Sequence, residues 1–270
     1  MNRKELVEQI KLKKSYLCVG LDTDPVKIPA HLHNEEDPIF AFNKAIIDST
    51  LPYCVAYKIN TAFYEAQGLK GWAALEKTVN YIPATHFKIA DAKRGDIGNT
   101  STQYAIAFLK QMPFDAITIA PYMGEDSVKP FLQFEGKWAI VLGLTSNPGA
   151  HDFELKTLEG GERLYEKVIR TVASWGTPEN LMFVVGATRA DEFINLRSIA
   201  PVHFFLVPGV GAQGGSLSEI SQKAMNKEIG LLVNSSRDII FASSKEDFAS
   251  AAAEKAKAYA EEMATFIKNE

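Results

Sequence analysis

The residues of this chain best equipped for chemistry lie in one short stretch, HFKIADAKRGDIGNT (86–100), where Asp91, Lys93 and Asp96 close an apolar run. An ammonium group can stabilise developing negative charge and then deliver a proton, and a neighbouring carboxylate keeps it charged and aimed. Two further apolar runs end in the same kind of group: YCVAYKIN (53–60) carries Lys58 and Asn60, and SYLCVGLD (15–22) ends in Asp22. Side chains alternate faces along a strand, so Phe87, Ile89, Asp91 and Lys93 share one face and His86, Lys88, Ala90 and Ala92 the other. Small Ala90 and Ala92 suit close helix packing, which makes the odd-numbered face the interior. Similar logic puts Cys54, Ala56, Lys58 and Asn60 together. Lys58, Asp91 and Lys93 are therefore expected to converge in a partly desolvated cup. A structural ion-pair network is the competing interpretation. Buried ion pairs, however, are often replaced by apolar groups at no loss of stability, so several at one mouth favour a working role.

A second feature suits an anion. PGVGAQGG (208–215) has glycines at 209, 211, 214 and 215, which let backbone N–H groups approach a phosphate, and SLSEI then opens a helix whose N-terminus favours negative charge. Arg237, at the end of the last apolar run, offers a planar fork for phosphate oxygens. Such a glycine-rich turn can also simply close a short loop. In LTSNPGA (144–150), Ser146 could read a polar ring edge or merely sit in the turn that Asn-Pro-Gly specifies.

The elements that must position these groups are legible as two alternating kinds of segment. Nearly continuous apolar runs occur at 15–22, 53–60, 86–93, 116–122, 138–146, 180–187, 203–211 and 230–237, as expected of parallel strands covered on both faces. Segments with apolar residues three and four apart occupy 37–51, 62–82, 101–112, 162–175, 190–199 and 216–225. The closing helix, 244–268, carries a stripe of Phe248, Ala252, Ala256, Tyr259, Met263 and Phe266. Eight strand-like runs alternating with helices predict an α/β fold, a (β/α)8 TIM barrel in a single domain spanning 1–270, and ~250 residues is the usual size of that fold. An open doubly wound sheet is the alternative. In a barrel, the polar strand ends all fall at one mouth, where such folds carry their sites.

Composition narrows the function classes. The 270 residues are 46% hydrophobic and 23% charged, with 29 basic and 33 acidic side chains and a net charge of −4. Nothing in that balance points to nucleic acid or an acidic membrane surface. Cys18 and Cys54 sit in apolar runs and read as small buried hydrophobes of a reducing compartment. The five histidines form no metal-ligating spacing. The N-terminal MNRKELVEQIKLKK lacks the apolar core of a signal peptide, and no apolar run approaches the ~18 residues of a membrane span, so the expected location is cytoplasmic.

Asp91-Ala-Lys93-Arg-Gly-Asp96-Ile97 resembles the D-x-K-x-x-D-I signature of the orotidine 5′-phosphate decarboxylase family. The continuation Gly98-Asn99-Thr100 is similar to the family's longer, bacterial-type branch. Gly20-Leu21-Asp22, Tyr57-Lys58, Ser146-Asn-Pro-Gly149 and the 208–215 loop match in the family's order, so the resemblance covers nearly the whole chain. It implies conversion of orotidine 5′-monophosphate to UMP and carbon dioxide, in pyrimidine biosynthesis, with no metal or organic cofactor. Lys93 would protonate pyrimidine C6, Asp91 would lie against the substrate carboxylate, and Lys58 and Asp96 would complete an alternating Lys–Asp array. The family shares sites across a homodimer, which assigns Asp96, Ile97 and Thr100 to the partner's site. Asp22 and Lys58 would touch the ribose, Ser146 the pyrimidine edge, and Gln213, Ser236 and Arg237 the phosphate. Many relatives have Gly-Arg where this chain has Ser236-Arg237, and the Ser236 Cβ is expected to narrow the phosphate's approach. A Mg²⁺-dependent sugar-phosphate lyase or synthase and a non-catalytic phosphate-binding barrel are the alternatives.

Overall fold

In the computed structural model, which describes residues 1–189, 191–211 and 214–267, the apolar runs pair edge to edge until the last meets the first. The strands are β1 (Leu17–Gly20), β2 (Ala56–Asn60), β3 (Phe87–Arg94), β4 (Ala116–Ile119), β5 (Trp138–Leu144), β6 (Leu181–Val185), β7 (Phe204–Pro208) and β8 (Leu231–Ser235). Each pairs in parallel with its sequence neighbour, and β1 with β8, closing the (β/α)8 barrel and excluding the open sheet. The strands are buried almost throughout because helices cover their outer faces and side chains fill the interior. Near the base, Phe87, Trp138 and Phe204 meet edge to face, with ring centroids 5.9 and 6.4 Å apart.

The helices follow the apolar spacing with two differences. The 62–82 segment, expected as one helix, divides into Thr61–Glu65 and Gly68–Tyr81. Gly68 has φ of +61°, and Gly71 lies so close to the first piece that a Cβ there would sit 1.8 Å from the Tyr64 carbonyl oxygen. A helix at Glu125–Leu132, between β4 and β5, was not expected, because Pro130 interrupts its pattern. The closing helix, Phe248–Ala264, buries Phe248, Ala252, Ala256 and Met263 as its stripe requires. Phe248 stacks on Phe42 of the Pro38–Thr50 helix at 5.1 Å, sealing the barrel where its ends meet. Burying each ring contributes roughly 1.5–3 kcal/mol. Among the described residues no helix is long and apolar enough to cross a membrane. Cys18 and Cys54 are buried free thiols.

The β3–β4 seam departs from simple alternation. Ala90 pairs with Ile117 and Arg94 with Ile119, so four residue steps of β3 oppose two of β4. That bulge lies over Asp91–Lys93, and Lys93 adopts φ of +46°, in the left-handed region that a non-glycine residue rarely occupies. Asp91 therefore faces inward by strand periodicity, whereas Lys93 reaches the same place through a kink that alternation does not foresee.

Candidate active site

The ends of β1, β2 and β3 bring four charged groups, Asp22, Lys58, Asp91 and Lys93, into one chain of contacts. Lys58 Nζ donates to Asp91 Oδ2 at 2.8 Å and lies 3.5 Å from Asp22 Oδ1. Lys93 Nζ donates to Asp91 Oδ1 at 2.6 Å. Lys58 is 3% exposed and Asp91 8%, while the Lys93 side chain is half exposed. Burial alone would raise the Asp91 carboxyl, but the Lys58 and then the Lys93 ammonium outweigh it and hold it well below the usual carboxylate range. Burial would likewise lower Lys58, but Asp22 and Asp91 hold it above the ordinary lysine value. The pair is thus ionised at neutral pH, with the carboxylate between two ammonium groups.

This chain of charges separates two adjoining cavities. The larger, about 450 Å³, runs from Asp22 and Lys58 past Pro208 and Gly209 to Ser236 and Arg237. The smaller, about 220 Å³, is lined by Lys93, Thr118, Ser146 and the apolar Leu142, Val184 and Leu206. Both share Lys58, Asp91 and Pro208. One compartment suits a polyol ending in an anion and the other a flat ring, with the Asp91–Lys93 pair at their junction.

The loops do what the turn residues specify. After β7, Gly209, Gly211 and Gly214 take positive φ, and Gly211 packs where a Cβ would lie 2.2 Å from the Tyr259 hydroxyl oxygen. Ser216 then caps the Leu217–Ala224 helix, its Oγ accepting from the Glu219 N–H at 3.3 Å. Gln213 lies outside the described residues. After β5, Glu154 accepts from the Thr145 N–H at 2.7 Å and from its hydroxyl at 2.8 Å, anchoring the turn that presents Ser146. Gly186 allows that turn to approach, since a Cβ there would lie 2.8 Å from the Ser146 nitrogen. Arg237 is exposed at the rim of the larger cavity. Ser236 lines the same cavity, with its side chain turned toward β1. Its Oγ occupies the notch over Gly20, 1.9 Å from where a Gly20 Cβ would be, and accepts from Asn234 Nδ2 at 3.2 Å.

Asp96, Ile97 and Thr100 stand apart from both cavities. Asp96 Oδ1 accepts from the Ile97 N–H at 2.8 Å, and its carbonyl accepts from the Ser101 hydroxyl. Ile97 is 53% exposed and Thr100 is exposed too. Within one chain the array therefore has three members, Lys58, Asp91 and Lys93. Lys88 is buried on the outer face of the strand and donates to the Val79 carbonyl at 3.2 Å. Arg94 ion-pairs with Glu65, lies 5.5 and 5.4 Å from the Tyr104 and Phe108 ring centres, and donates to the Ala92 carbonyl. It braces the bulge from outside.

Sequence reasoning missed Asp24, Lys27 and Asn234, which line the larger cavity, and Thr118, which lines the smaller. Asp24 and Lys27 belong to the connection between β1 and the Pro38–Thr50 helix, so that connection forms part of a wall. Asn234 and Thr118 lie on strand runs whose inward faces could have been inspected for polar residues. Among the described residues no group of three or more His, Cys, Asp and Glu is placed to hold a metal ion.

Comparison with known proteins gives a consistent result. The sequence profile of the orotidine 5′-phosphate decarboxylase / HUMPS family matches residues 15–253. The chain is 60% identical over 260 residues to the orotidine 5′-phosphate decarboxylase of Phocaeicola vulgatus, covering 95% of this chain and 96% of that one. It is 58% identical over 271 residues to the Bacteroides fragilis protein of the same name, covering 99% of each. The solved structure of Leishmania donovani OMP decarboxylase superposes with a TM-score of 0.80 at 34% identity, covering 96% of this chain and 99% of that one.

Proposed function

The chain belongs to the orotidine 5′-phosphate decarboxylase / HUMPS family, and from that premise we propose that it converts orotidine 5′-monophosphate to UMP and carbon dioxide. The observation that carries this reading is the Lys58–Asp91–Lys93 line at the junction of a polar cavity ending in Arg237 and a smaller one with apolar walls. The phosphate lies at Arg237, Gln213 and the Ser236 backbone, the ribose at Asp22 and Lys58, and the pyrimidine edge at Ser146.

Loss of carbon dioxide from an sp² ring carbon leaves an electron pair at C6 without a conjugated sink. Rate then depends on favouring that charge over the ground-state carboxylate. The Lys93 ammonium, fixed by Asp91, stabilises the pair as it forms and then donates its proton to C6. Asp91 faces the departing carboxylate, and Lys58 keeps Asp91 ionised. Asp96, with Ile97 and Thr100, completes the site of a partner subunit, so the working unit is a homodimer of single-domain barrels in the cytoplasm, acting in pyrimidine biosynthesis. Phosphate binding at the far end of the substrate holds C6 over Lys93, which uses remote contacts to assist the reacting centre.

The test is the loss of orotidylate absorbance on adding the chain, with and without EDTA. Turnover unchanged by chelation is the expected result. No turnover, or turnover abolished by EDTA, overturns the reading in favour of a binding barrel or a Mg²⁺-dependent enzyme.

A further inference from the structure

The bulge in β3 deprives the Lys93 N–H of a carbonyl partner on β4. It donates instead to Thr118 Oγ1 at 2.9 Å. A peptide N–H can only donate, so the hydroxyl accepts there, and its own proton is left for Asp91 Oδ1 at 3.0 Å. Thr118 is 1% exposed, which shields both bonds from water. A single hydroxyl thereby fixes the backbone of Lys93 and the carboxylate that aims its ammonium. It does so at a residue with φ of +46°, a conformation that persists only where its surroundings impose it.

We infer that Thr118 is a positioning residue of the decarboxylation: its hydroxyl locks the strained Lys93 backbone to Asp91 and so holds the ammonium over the reacting carbon. The inference rests on the function proposed above. Thr118 donates no proton to substrate and carries no charge, and its effect passes entirely through Asp91 and Lys93. Losing the hydroxyl frees the Lys93 peptide to relax from the left-handed region, and the ammonium moves with it. Affinity for the nucleotide, set largely at Arg237 and the glycine-rich loop, stays.

Steady-state kinetics of T118V and T118S test this. T118V keeps the shape and loses the hydroxyl. Its kcat is expected to fall roughly 30-fold, about 2 kcal/mol of transition-state stabilisation, while KM and UMP affinity change little. T118S keeps the hydroxyl, and its kcat is expected to stay close to the native value. Should T118V fail to fold, T118A against T118S supplies the same contrast. Native kcat in T118V, equal impairment of both variants, or a loss confined to KM overturns the inference. A native chain that does not turn over orotidylate overturns the parent reading and this inference with it. An active native chain with an indifferent T118V overturns the inference alone.

Discussion

Both ends of the barrel bury charge, and they handle it differently. At the base, side-chain cations are taken up largely by main-chain carbonyls, while the N-terminal ammonium pairs with Asp115. Arg197 donates to the carbonyls of Ala224, Ala200, His203 and Gly230 and lies 4.0 Å over the Phe205 ring. Lys13 donates to the carbonyls of Leu51 and Cys54, and Lys137 to that of Phe114. Arg3 joins two carbonyls to Glu228. At the mouth, the ammonium groups meet carboxylates instead, Lys58 and Lys93 converging on Asp91 beside open volume. Carbonyls saturate a cation and tie loops together. A charge held by another mobile side chain can be redirected toward a substrate. What marks the mouth here is that two ammonium groups share one buried carboxylate, Asp91, beside open volume, rather than buried charge as such.

That contrast can be broken by exchanging what each end loses. The largest effect is expected from K93A, which removes both charge stabilisation and the proton, lowering kcat by at least roughly 10³-fold while UMP still binds. Substantial residual turnover removes Lys93 from the acid role. Mixing K93A with D96A chains sharpens the point, because a mixed dimer holds one intact site and should regain activity. No recovery despite demonstrated subunit exchange contradicts the shared site. At the base, R197M strands several carbonyls and should cost about 3 kcal/mol in urea unfolding, with turnover by the folded enzyme unchanged. A catalytic defect there would erase the distinction between the two ends. R237A should weaken UMP binding by calorimetry roughly 30-fold, about 2 kcal/mol, and unchanged affinity would displace the phosphate from that rim.

The smallest effect concerns His203, buried at the base against Phe183, with burial first and then Arg3 and Arg197 pushing its ring down to about 4. An unfolded histidine titrates near ~6.5, so between those values the folded chain binds fewer protons than the unfolded one. Its contribution to stability is complete above that range and is lost as pH falls through it. H203F should flatten the decline of denaturation midpoint with falling pH, leaving the part that His86, also pushed down to about 4, supplies. An unaltered decline would show that His203 does not contribute.

Local pattern made the barrel legible. Apolar runs of strand length, separated by helical spacing, admit few arrangements that bury both faces of every strand. Lys58 and Asp91 followed from the same periodicity, on the inward faces of their runs, and Asp22 from its place at the end of the first run. Lys93 was placed correctly for an incomplete reason: alternation put it inside, whereas a bulge and a left-handed backbone take it there. Neither is written in composition, since a lysine with positive φ looks like any other lysine. Thr118 stayed hidden because its partners are set by the register between β3 and β4, a cross-strand property. Asp96 could be assigned to a neighbour only through resemblance, for among the described residues its carboxylate meets only the N–H of Ile97 in its own loop.

The notch at Gly20 has a consequence for how this sequence can change. Ser236 Oγ fills the space a Gly20 side chain would need, and with the serine gone the nearest obstacle is Asn234 Oδ1 at 3.1 Å from that position. A lineage that replaced Ser236 by glycine first could later accept alanine at position 20, whereas the reverse order passes through a steric clash. The two sites form a one-way gate in mutational history, and a library that randomises position 20 while keeping Ser236 meets that clash with every side chain it adds.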